Sequence, residues 1–359
     1  MTGERTVAVK HLLGDALLWC ALAILLAVGM SNGHTLQAYS SISLRYETPI
    51  SGQAAYLARQ YAIRQDDGDV FWPTFWYETK ATLTAEFNKV YAECIFYSGD
   101  AALIWPTQYD SGTAPGVTDG IGCTVSSALA WTLWGGIDVV GKTVEVDGVT
   151  RIVRGVFEGD DLLALLSVRD DDTEQHFTAA ELSGGPASPA RSNVEDFVRG
   201  AGLGTPDSIL MDTPAFLAGF MTILPMLVLI CYGLALLLRW LHTNFAIPWV
   251  LILFAALIGL AILLPGLLAI LPDWVIPTRW SDFAFWGTLA KQIGTNLREY
   301  LVLLPRLRDV AYKILLVKQA GIAFLSTVCA LAICFRWHIN SKIAPYRRSH
   351  GRYYIEKHS

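Results

Sequence analysis

The sequence predicts a membrane protein: four transmembrane α-helices, with one extracytoplasmic α+β domain inserted between helices 1 and 2. Three observations predict it. Of 359 residues, 53% are hydrophobic and 16% charged, whereas soluble domains carry about a quarter charged residues. The apolar excess is uneven: residues 32–212 hold most of the acids and read as an ordinary globular sequence, while the N-terminus and the chain after 212 are apolar. Finally, basic residues cluster beside the apolar segments in a pattern that sets orientation.

A bilayer core about 30 Å thick needs roughly 20 apolar residues in a helix. The first segment, 12–31, holds one acid, Asp15, near its start. A cleavable signal peptide is the rival reading, but Gly29-Met30-Ser31-Asn32-Gly33 is a poor cleavage site, so it is read as an uncleaved anchor. The second segment is 213–238 with Pro225 inside, and the third 246–271 with Pro265 inside. Proline is tolerated in membrane helices more readily than in water. The fourth is 314–335, with Lys318 near its outer end, long enough to snorkel to the interface.

Arg5 and Lys10 precede the first segment, Arg239 and His242 lie in the link 239–245, and Arg336, Lys342, Arg347, Arg348, Arg352 and Lys357 follow the fourth. In a four-pass chain all three groups fall on one side, which becomes the cytoplasm. The N-terminus 1–11, the link and the basic tail 336–359 are then cytoplasmic, and the chain is a multi-pass protein of a bacterial plasma membrane. One stretch argues against this. Segment 272–313, external in this scheme, carries Arg279, Lys291, Arg298, Arg306, Arg308 and Lys313. It also carries Trp274, Trp280 and Trp286, a residue that favours the headgroup layer. Residues 289–304 read either as an amphipathic helix lying along the membrane and ended by Pro305, or as a solvated loop with some helix.

Within 32–212 the local patterns mix. Ala54–Ile63 reads as a helix and Val90–Tyr97 as a strand. Ile121–Val125 reads as a strand, and Ser126 caps a helix that Gly135-Gly136 ends. Asp147-Gly148 between two strand-like runs is a hairpin signal, because both turn positions need positive φ. Residues 183–193 read as a loop and Val194–Gly200 as a short helix.

Three runs carry a resemblance: Gly122-Cys123-Thr124-Val125-Ser126-Ser127-Ala128-Leu129-Ala130, then Leu133-Trp134-Gly135-Gly136-Ile137-Asp138-Val139-Val140-Gly141-Lys142-Thr143-Val144, and Val146-Asp147-Gly148 with Ile152-Val153-Arg154-Gly155-Val156. Together they resemble the MacB-type periplasmic core domain of ABC transporter permeases. One helix, an outer domain and then three helices is the FtsX-like permease layout. The resemblance implies a permease-like subunit without its own ATPase, working with a separate ABC ATPase subunit and a second permease-like chain. It departs at one place: the link Arg239–Phe245 is too short for the charged helix that docks on the ATPase in that family. The alternative is a membrane-anchored interaction or scaffold protein that kept the domain and lost the coupling.

Cys94 and Cys123 both lie in the outer domain, where disulfides persist, and read either as a bridge or as two free buried thiols. Asp66-Asp67-Gly68-Asp69 and Asp170-Asp171-Asp172 lack calcium-loop spacing and read as solvated turns. The chain has no Walker A loop, zinc motif or nucleophile motif, so neither an enzyme nor a cofactor is expected. Without a basic stripe interleaved with aromatics, nucleic acid is not an expected partner. Arg239, Arg347, Arg348 and Arg352 are the candidate contacts, either with the ATPase or with anionic membrane lipids.

Overall fold

The computed structural model describes residues 2–39, 41–65, 69–86, 88–186, 190–245, 250, 254, 257–258, 275–276 and 283–356. The chain divides into two compact units: 1–34, 215–270 and 314–359 form one, and 35–214 with 271–313 form the other.

The first unit is helical. Three helices among the described residues are long and apolar enough to cross a membrane: α1 (Thr2–Ala38), α6 (Thr213–Phe245) and α8 (Leu307–Glu356). Their apolar spans are 26, 31 and 33 residues, each longer than the roughly 20 that a bilayer needs. Most of their side chains are exposed, as they must be where lipid is the solvent. Polar groups join the helices where they meet. Asn32 donates to Gln319 at 2.8 Å and to the Leu315 carbonyl at 3.1 Å, and Gln319 donates to Thr222. Asp15 pairs with Arg336 at 2.7 Å. Residues 239–245 form the end of α6, because nothing in that stretch interrupts the helix. Residues 246–271, expected as the third crossing, lie almost entirely outside the described residues, as do 66–68 of the first acidic cluster.

The second unit is an α+β domain built on one mixed sheet. Its strands are β1 (Ile42–Ser51), β2 (Phe71–Ala85), β3 (Asn88–Ser98), β4 (Tyr109–Gly112), β5 (Gly122–Ser126), β6 (Thr143–Val146), β7 (Val149–Phe157), β8 (Leu163–Ser167), β9 (His176–Gly184) and β10 (Ser208–Leu210). They run β10-β1-β9-β2-β3-β8-β5-β7-β4, with β6 pairing β2 and β7. The β3–β8 and β5–β7 pairs are parallel and the others antiparallel.

Side chains alternate across a strand, and here both faces are covered. Phe75 and Ala180 point to a core closed by α2 (Gly52–Arg64) and α5 (Arg191–Gly200). Their neighbours Trp76 and Ala179 point to the opposite face, with Ile104 of α3 (Ala101–Ile104) and Leu307. Cys94 and Leu166 face α4 (Ser127–Trp134), while Ile95 and Leu165 face away from it. This is why β5 and β8 are buried at every position.

Local chemistry sets the boundaries. Ser126 Oγ accepts from Leu129 N at 3.2 Å and caps α4, and Gly135 ends it at φ 72°. Asp147 and Gly148, at φ 46° and 87°, turn β6 into β7. The remaining helix, α7 (Phe283–Val302), belongs to this unit. Its face Leu289, Asn296 and Tyr300 is buried. Residues 289–302 are thus helical, with Leu289 and Tyr300 buried and Leu301 and Val302 exposed.

Candidate functional site

Two buried arginines of the α+β unit, Arg45 and Arg308, converge on one carboxylate, Glu181, on β9. It is fully buried, with 0% exposure. Ser41 donates to it at 2.7 Å, Ser43 at 2.7 Å, Arg45 at 3.1 Å and Trp76 Nε1 at 3.1 Å. Arg308 lies 3.4 Å from its second oxygen. A carboxylate offers about four acceptor positions, so this one is saturated.

The network extends through both arginines. Arg45 reaches Asp309 at 2.8 Å. Arg308 also donates to the Tyr39 carbonyl at 2.8 Å, to Ser41 at 2.7 Å and to the Leu103 carbonyl at 3.1 Å. Arg45, Arg308, Glu181 and Asp309 are all buried, and their formal charges sum to zero. Burial disfavours the Glu181 charge, but Arg308 and Arg45, helped by the two serines, outweigh it and hold its pKa below the ordinary value. Arg45 is held above its ordinary value, because Glu181 and Asp309 outweigh its desolvation.

Each member comes from a place the fold makes significant. Tyr39, Ser41, Ser43 and Arg45 are the first residues after α1. Arg306, Arg308 and Asp309 bound or open the first turn of α8, whose start is capped twice: Leu307 N donates to Glu78 at 2.9 Å and Arg306 N to Asp309 at 3.2 Å. Arg306 donates to Thr178 at 2.7 Å and stands 5.4 Å from the Trp76 ring, with Arg45 at 5.0 Å from the same ring. An aromatic chain repeats the connection, Tyr39 to Tyr312 at 6.1 Å and Tyr312 to Tyr300 at 5.4 Å. The start of α6 is tied separately, by Asn296 donating to Thr213 at 2.9 Å. Beside the network lies a cavity of about 580 Å³, lined by Arg45, Glu78, Asp207, Leu304 and Arg306 among others. Burial raises the pKa of Glu78 above the ordinary range, against the opposing pull of the Leu307 N–H and Arg306.

Such an arrangement holds elements together rather than reacting. Among the described residues no cluster of histidine, cysteine and carboxylate side chains has the makings of a metal site.

The residues singled out from sequence lie elsewhere. Arg239 is exposed on α6, and Arg347, Arg348 and Arg352 fall on the last stretch of α8. Cys94 and Cys123 are two free buried thiols rather than a bridge. The sheet order gives the reason: β8 lies between β3 and β5. Strands two apart are about 10 Å distant, and a disulfide needs Cα atoms within about 7 Å. Burial pushes both thiols up to about 12. Sequence reading missed Glu181 and its partners. The available signal was an acid inside the run Phe177-Thr178-Ala179-Ala180-Glu181-Leu182, where an unpaired charge would be costly.

No protein-family model matches the chain, and no curated protein does. Similar solved structures include the extracellular domain of the noncanonic ABC-type transporter YknZ from Gram-positive bacteria, at 10% identity over 45% of this chain and 89% of that one, with a TM-score of 0.34. They include also the periplasmic region of MacB from Actinobacillus actinomycetemcomitans, at 9% identity over 45% of this chain and 84% of that one, with a TM-score of 0.37.

Proposed function

We propose that this chain is a permease-like membrane subunit of an ABC-type assembly, in which the α+β unit carries movement between membrane helices instead of forming a pore. The observation that carries the reading is the Glu181 network. The residues that follow α1 and those that open α8 are fastened to the same carboxylate, so a shift of either junction is passed to the centre of the sheet. A loop joined only by exposed polar contacts would dissipate that shift. In this reading the membrane is crossed four times, the α+β unit is extracytoplasmic, and ATP is hydrolysed by a separate ABC ATPase acting with a second permease-like chain. The buried arginines support the topology. Arg306 and Arg308, which argue against an external 272–313 by charge count, are committed to Thr178 and Glu181 of the domain. They are structural charges rather than loop charges that orient a helix.

A second reading, a membrane-anchored scaffold, is favoured by one observation: residues 239–245 end α6 and leave no separate coupling helix within that stretch. Co-purification in mild detergent separates the two. A transporter subunit brings down an ABC ATPase, and removing residues 343–359 weakens the association, because the tail with Arg347, Arg348 and Arg352 is the longest cytoplasmic feature left for contact. If neither co-purification nor crosslinking in intact cells finds an ATPase, the scaffold reading replaces the transporter reading.

A further inference from the structure

Three apolar side chains stand bare on one short stretch. Leu301 is 76% exposed, Val302 75% and Leu304 87%. They close α7 and open the turn to Pro305. Scattered exposed apolar residues are ordinary, but three within four positions form a patch that marks an interaction surface. Elsewhere on α7 one face is buried through Leu289, Asn296 and Tyr300, and the exposed side carries Lys291 and Arg298, with the apolar Phe283 and Trp286 exposed in its first turn.

One contact ties the patch to the chain that follows it. Lys313 Nζ donates to the Leu303 carbonyl at 3.5 Å and lies 5.9 Å from the Tyr300 ring. Lys313 immediately precedes Ile314-Leu315-Leu316-Val317, where α8 turns from polar to apolar. The patch is therefore tied to the residue that immediately precedes the apolar run of α8. Arg298 precedes Leu301 and Val302 by three and four positions, which puts all three on one helix face. A cation one turn back from an apolar tip is the arrangement of an interfacial segment, with the charge among phosphate headgroups and the apolar side chains in the acyl boundary.

We propose that Leu301, Val302 and Leu304 insert into lipid, so that this turn anchors the α+β unit to the bilayer surface independently of the spanning helices. The occupant is lipid because the patch adjoins the start of a membrane span and the exposed charges of α7, Lys291 and Arg298, are cations.

The test uses the full-length chain in phosphatidylcholine–phosphatidylglycerol nanodiscs. Cys20, Cys231, Cys329 and Cys334 are replaced by serine, while Cys94 and Cys123 are buried and stay. A nitrobenzoxadiazole label on Leu304→Cys is compared with one on Val117→Cys, an exposed apolar position of the sheet domain. The expected result is several-fold stronger quenching at 304 than at 117 by lipid carrying a doxyl group near its headgroup, with iodide quenching the label at 117 instead. If iodide quenches both equally, the patch lies in water and the proposal is overturned. If neither quencher reaches the label at 304, a protein surface covers it and the proposal is overturned as well. Because the labelled positions are exposed, loss of folding does not cloud either outcome.

Discussion

Replacing Glu181 by glutamine keeps the volume of the side chain and removes its charge. Arg45 and Arg308 are then left with Asp309 as the remaining acid of the group, and the new amide N–H₂ must face donors on every side. Removing one partner of a buried ion pair costs about 3–5 kcal/mol, because the other charge stays buried without compensation. For a domain of this size that is on the order of 10 °C in Tm. Near-UV circular dichroism of the full-length protein in mild detergent reads it, since Trp76 reports from within the network. A shift below about 2 °C, less than about 1 kcal/mol, would refute the idea that Glu181 holds the unit together. Adding Arg308→Met to Glu181→Gln should recover part of the loss, as removing both partners of a buried pair is milder than removing one. The pH dependence has a definite sign. The folded-state pKa of Glu181 lies below its ordinary 4.5, so its contribution is present above 4.5 and is lost as pH falls through the lower folded value. The Glu181→Gln protein should lack that component of acid destabilisation.

The remaining predictions concern other parts of the fold. Ser126→Ala should destabilise the sheet domain by about 2 kcal/mol, read by thermal melting, because one buried hydroxyl caps α4 and also donates to the Asp161 carbonyl at 2.6 Å. Cys94 and Cys123, pushed up to about 12, should resist iodoacetamide at pH 8 in folded protein and react on denaturation, as peptide mass spectrometry will show. Gln319→Leu should loosen the helical unit by about 1 kcal/mol, since Asn32 and Thr222 lose their shared partner. Crosslinking between cysteines placed on α1 and α8 should then fall in yield, and an unchanged yield would show that the contact does not hold those helices.

Much of the domain's local structure is legible in the sequence, because its signals are short-range. Ser126, Gly135 and the Asp147-Gly148 pair need only their immediate neighbours to specify a cap, a stop and a turn. The sheet order is not legible in this way. β9 lies between β1 and β2, and no local pattern links Ala180 to Leu44, its partner more than a hundred positions earlier. The candidate site was missed for the same reason. Arg306 and Arg308 look like loop charges until Thr178 and Glu181 are placed beside them. Periodicity at 289–304 revealed an apolar face but not what covers it, and the answer for Leu289 and Tyr300 is protein. Cys94 and Cys123 fit a bridge by compartment, while an intervening strand rules it out by distance.

Arg45 and Asp309 are 264 positions apart, and that separation has a consequence for biogenesis. A ribosome delivers the arginine early and its second acid only with α8. Until then, the β1 arginine has Glu181 and the Trp76 ring beside it but lacks its second carboxylate. Completion of the buried network of the α+β unit is thereby tied to delivery of the start of α8. A chain stopped before Arg308 keeps the Arg45–Glu181 pair but leaves Glu181 without its second arginine and Arg45 without its second carboxylate. The ion pair between Arg45 and Asp309 thus forms only once α8 has begun to emerge.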